Sequence, residues 1–121
     1  MKLRIRGNTI RVRLSQSEVS AFGEHGFIEE ITDFGHGQIL VLALTSAANV
    51  HPAATFINGT IEIKIPQDIV KSWAESDEVS ISAQTETLKL LIEKDFKCLT
   101  PRDGDDDHDT FPHPRQNDSA C

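Results

Sequence analysis

Residues 9–22 (TIRVRLSQSEVSAF) lie over residues 60–73 (TIEIKIPQDIVKSW) at a shift of 51 positions, matching Thr, Ile, Gln, Val and a terminal aromatic and preserving an aliphatic strand face. Gly7-Asn8 precedes one copy and Asn58-Gly59 the other. Both dipeptides suit the left-handed backbone of a two-residue hairpin turn. A chain that repeats strand, turn, strand and helix in both halves is restricted to folds in which two like units pack together. The reading is an α+β protein with duplicated ββαββ units, related by a pseudo-twofold and forming one antiparallel sheet or flattened barrel with two short helices.

The first unit opens with KLRIRGNTIRVRL at residues 2–14. If Gly7-Asn8 is the loop, Lys2 faces Arg13, Leu3 faces Val12, Arg4 faces Arg11, Ile5 faces Ile10 and Arg6 faces Thr9. One face of the hairpin is then aliphatic and the other cationic. Like charges directly opposite one another are destabilising, so something must neutralise Lys2, Arg4, Arg6, Arg11 and Arg13. Next, Ser15-Gln16-Ser17-Glu18 has capping-box spacing, and a short helix carrying Val19 and Phe22 is expected to run to about Glu24 and stop at Gly26. Strands are expected at 27–34 and 38–45 around a Gly35-His36-Gly37 turn. The second of these, apolar on both faces from Leu40 to Leu44, is expected at the centre of the sheet. The second unit repeats the order, with strands at 53–57 and 60–65, a helix over 68–75 burying Ile69, Val70 and Trp73, and strands at 78–83 and 87–95.

The composition changes after Leu99 to Pro, Gly, Asp and His. A single domain is therefore expected over residues 1–99, followed by a polar acidic tail over 100–121. The net charge of −7 conceals segregation: residues 1–14 hold five cations and no acid, whereas 103–109 hold five acids and no base. Three ligands for the cationic face follow: water alone, the acidic tail in cis, or a small phosphorylated or carboxylated anion gripped by guanidinium forks. The absence of Tyr, the scattered aromatics and the negative field elsewhere argue against nucleic acid. The longest apolar run, residues 39–44, is too short to span a bilayer, and the N-terminus reads straight into a strand with no signal region, so no membrane partner and a cytoplasmic location are expected. A homo-oligomer stays open.

Cys98, His108 and His113, with Cys121, can be drawn as a zinc or other divalent-metal site in the C-terminal segment, although their spacing matches no compact zinc motif. The 103–109 run fails as an EF-hand because its glycine and distal glutamate fall in the wrong places. The chain contains no nucleophile elbow, phosphate loop or dinucleotide fingerprint, and His25, His36 and His51 fall at turns or helix ends. No catalytic residue is assigned.

LIEKDFKCL at 91–99, taken with KLRIRGN at 2–8 and FPHP at 111–114, resembles a family of small uncharacterised bacterial proteins built on a domain of unknown function. That resemblance implies a bacterial source and a single domain and supplies no active-site residue. The duplicated unit is also distantly similar to the tunnel-barrel triphosphatases, which bind triphosphates and divalent metal. The Glu-x-Glu-x-Lys strand of those enzymes is missing at the N-terminus, and Glu62-Ile63-Lys64 and Glu93-Lys94-Asp95 are its nearest counterparts. The functional expectation is a noncatalytic binding or interaction module using the cationic strand face. The alternative is a small phosphate-handling or metal-dependent enzyme.

Overall fold

A computed structural model of the chain describes residues 1–96 and contains eight strands and two helices. Each half follows the order strand, strand, helix, strand, strand. The first comprises β1 (Lys2–Arg6), β2 (Thr9–Leu14), α1 (Gln16–His25), β3 (Phe27–Gly35) and β4 (Gln38–Ala47). The second comprises β5 (Ala53–Ile57), β6 (Thr60–Pro66), α2 (Gln67–Glu75), β7 (Ser80–Gln84) and β8 (Lys89–Lys94).

The α+β class and the two ββαββ units are as expected from the sequence, but where one antiparallel sheet or flattened barrel was expected the strands divide between two four-stranded mixed sheets, β1-β2-β8-β7 (sheet I) and β3-β4-β6-β5 (sheet II). Every hairpin is antiparallel, but β2 joins β8 and β4 joins β6 in parallel. The helix in each unit causes the division, because it carries the chain from a hairpin in one sheet to a hairpin in the other. Exchanging the two units turns the order of sheet I into that of sheet II read backwards, as a pseudo-twofold requires. Parallel pairing equates Lys89 with Val41 and Ile92 with Leu44, since Thr9 aligns with Lys89 and Thr60 with Val41.

Alternation along the strands sends one face of each sheet inward. Val12, Leu14, Leu44, Ile63, Ile65, Leu90 and Ile92 are fully buried between the sheets with Phe22 and Trp73. The two aromatics occupy equivalent positions on α1 and α2, as the repeat requires. The Trp73 indole N–H donates to the Val79 carbonyl at 3.2 Å, and Lys94 Nζ lies 5.6 Å from the ring centroid. Ile69, expected in the core, is instead exposed, while Val70 and Trp73 are buried. The α2 stripe thus passes through 70 and 73, a helical spacing of three.

Local chemistry fixes the ends of α1. Ser15 accepts from the Glu18 N–H while Glu18 accepts from the Ser15 N–H, and Gly26 closes the helix at φ 73°. The two hairpin turns use their glycines differently. Gly7 alone is left-handed in the first, whereas Asn58 and Gly59 both are in the second, the patterns of type II′ and type I′ turns.

Candidate functional site

The β1–β2 register is the one expected, with Lys2 opposite Arg13 and Arg4 opposite Arg11. Leu3 packs against the core and Ile10 and Val12 lie within it, so Lys2, Arg4, Arg6, Arg11 and Arg13 project from the outer face of sheet I. The parallel partner β8 extends this face: Lys89 lies beside Thr9, Leu91 beside Arg11 and Glu93 beside Arg13. Ser80, Ser82 and Gln84 of β7 complete it with neutral residues.

Glu93 of β8 and Asp95, the residue just after it, supply carboxylates that relieve the like-charge pairing. Glu93 Oε1 lies 3.3 Å from Arg11 Nε and 3.6 Å from Arg13 Nε, and Asp95 reaches Lys2 Nζ at 2.8 Å. Arg4 and Arg6 also take part in polar or electrostatic interactions. Six cations, including Lys89, thus share a sheet face with Glu93 and Asp95. Sheet II presents a different exterior, with Ile31 opposite Val41 and Glu62 accepting from the Thr45 hydroxyl at 3.1 Å. Strong cationic character belongs to one sheet.

The N-terminal amine forms a second polar cluster, donating to Glu18 Oε2 at 2.6 Å and Glu30 Oε1 at 2.8 Å. Burial alone would lower the pKa of this amine, but its hydrogen bonds and charge interactions with the two carboxylates outweigh that and hold it above its ordinary value. Burial would raise Glu18, yet the amine and the Ser15 contacts keep it below the usual carboxylate range.

A third feature, an apolar groove of about 440 Å³, opens between the sheets. Its lining respects the pseudo-twofold: Leu3 answers Ala54, Ile5 answers Phe56, Ile10 answers Ile61 and Leu40 answers Leu88. The helices meet about the same relation, with Gly23 against Ala74. The five N-terminal cations line neither this groove nor the cavities beside α1 and α2.

Residues 1–115 match the model of a family of unknown function, DUF7009. The chain belongs to that family. No curated protein and no solved structure matched it.

Within this DUF7009 chain the cationic residues named from sequence come together on one face. Cys98, His108, His113 and Cys121 lie outside the described residues, as does the acidic run 103–109. Among the described residues no group of three His, Cys, Asp or Glu side chains could hold a metal ion, and no helix is long and apolar enough to cross a membrane. His25, His36 and His51 are exposed, as their positions at turns suggested. Sequence reasoning missed Glu93, Asp95 and Lys89 as members of the cationic face. They join it through a parallel pairing across some eighty residues of chain, for which alternation within β8 carries no signal.

Proposed function

We propose that the chain is a noncatalytic binding module whose contact surface is the outer face of sheet I, with Lys2, Arg4, Arg6, Arg11 and Arg13 taking carboxylate or phosphate groups of an anionic ligand. The observation that carries this reading is the cross-strand pairing of Lys2 with Arg13 and Arg4 with Arg11, with Glu93 the carboxylate set between the two β2 arginines. Alternate residues on a strand lie about 6.6 Å apart, so the cations form a regular array suited to several charged groups in a row. The five cations line none of the groove and helix-side cavities, and Lys2 is 72% exposed while Arg11 and Arg13, around Glu93, are 26% and 13% exposed, which favours an extended anion lying along the outer cations over a small substrate enclosed on all sides.

The acidic run at 103–109 belongs to this reading as a ligand in cis. Its tether gives it an effective concentration on the order of millimolar, and exposed ion pairs contribute only about 0–1 kcal/mol each. An external polyanion therefore competes with it readily. Deleting residues 100–121 strengthens polyanion binding at low salt, and the gain shrinks as ionic strength rises.

The test is thermal denaturation of the full chain with a panel of phosphates and polycarboxylates at millimolar concentration. A ligand bound only by the folded state raises the Tm, and Arg4→Ala combined with Arg11→Ala removes the shift. If no anion moves the Tm, the face is merely solvated and the proposal fails.

A further inference from the structure

Among the described residues, strand β1 terminates sheet I. The Arg6–Thr9 pair closes a two-residue hairpin, which turns the backbone N–H and C=O of Arg6, Arg4 and Lys2 towards β2. Those of Leu3 and Ile5 therefore face the outer edge. The side chains alternate in the other direction. Leu3 and Ile5 line the apolar groove, while Lys2, Arg4 and Arg6 stand on the cationic face.

A strand added along this edge has to alternate in the same way. One set of its side chains would enter the groove beside Ile5 and Phe56, which are 56% and 70% exposed. The other set would lie over Arg4 and Arg6. We propose that β1 is a docking edge for an extended segment of a partner protein in which acidic and apolar residues alternate, the acids meeting the cationic face and the apolar residues filling the groove. This rests on the cationic-face reading and deepens it by adding backbone pairing and a sequence pattern to the ligand.

Charge complementarity and alternation together select this occupant. The chain's own run at 103–109 is a block of acids that offers the groove no apolar residue. A second copy is poorly matched as well: of its edge strands, β1 repeats the cations, β5 (AATFI) and β7 (SISAQ) carry no acid, and β3 reads FIEEITDF, whose adjacent Glu29 and Glu30 would send one acid into the groove. β-strand addition is a common mode of peptide recognition, in which main-chain hydrogen bonds supply affinity and pockets for alternate side chains supply specificity.

The experiment compares two labelled nine-residue peptides of identical composition on the full chain at low salt. One alternates Glu with Val and Ile, and the other carries the same residues as an acidic block and an apolar block. The alternating peptide should bind roughly tenfold more tightly, since only it can bury apolar side chains and place acids over the arginines at once. It should also slow amide exchange at Leu3 and Ile5. Ile5→Thr, at an exposed site, should remove the preference for the alternating peptide. Equal affinities without amide protection overturn strand addition, and if Arg4→Ala weakens both peptides the cationic-face reading survives. Failure of both peptides to bind sinks the two together. If the Leu3 and Ile5 amides are protected in the peptide-free chain and deletion of residues 100–121 exposes them, the edge belongs to the chain's own tail and the external partner is excluded.

Discussion

Gly23 of α1 faces Ala74 of α2 so closely that a Cβ added at position 23 would lie 2.9 Å from the Ala74 Cβ. Glycine inside a helix ordinarily costs about 1 kcal/mol relative to alanine, so Gly23→Ala would stabilise an isolated α1. Here the new methyl group meets another Cβ that cannot swing aside, and overpacking of this kind costs about 1–3 kcal/mol. Gly23→Ala should therefore be neutral to destabilising by about 2 kcal/mol, and Ala74→Gly should partly rescue it. Denaturant unfolding of the single and double variants measures the coupling. Stabilisation by Gly23→Ala alone would contradict the close helix contact.

Trp73 and Phe22 are both fully buried at equivalent places in the two units. Trp73→Ala should cost about 3–5 kcal/mol, and Phe22→Ala should fall in the same range. A loss below 1 kcal/mol at either position, read by urea unfolding, would mean that the two units do not share one core.

Much of this duplication was legible in the sequence, since the shift of 51 aligns Phe22 with Trp73 and the capping box and turn residues mark element ends within a residue or two. The division into two sheets was not. Alternation specifies which residues face a core but not which hairpin a strand joins, and the β2–β8 and β4–β6 pairings link segments far apart in the chain. For the same reason the five cations could be named while their counter-charges, Glu93 and Asp95, could not. The groove escaped notice because Ile5 and Phe56 read as ordinary strand residues until two edge strands converge on it.

The contacts of Met1 predict a stability plateau with two limbs. Glu18 is depressed in the folded state, so its contribution is present above the ordinary glutamate pKa and is lost as pH falls through the lower folded value. The amine is raised, so its contribution is complete below its unfolded value near 8.0 and is lost as pH climbs through the folded one. Glu18→Gln keeps a side chain able to complete the capping box and removes the charge. It should flatten the acid limb and reduce the alkaline one, as followed by Tm between pH 3 and about 10. Unchanged limbs would show that the contacts contribute nothing to folding.

Glu93 couples stability to ligand affinity. Its carboxylate lies between Arg11 and Arg13 and competes with any anion for them. Glu93→Gln should lower the Tm by removing the negative charge between Arg11 and Arg13 and should raise affinity for polyanions, with the two effects opposite in sign. A variant that loses both stability and affinity would indicate that Glu93 is needed to shape the face for its ligand.

The most direct measurement is the affinity of the full-length chain for inorganic polyphosphate as a function of salt, beside the Arg4→Ala, Arg11→Ala double variant. Binding through the outer face of sheet I should weaken steadily as salt screens the charges, and the double variant should bind more weakly with a shallower salt dependence. Equal affinity and equal salt dependence in the two proteins would place the binding elsewhere and contradict the cationic face as the contact surface.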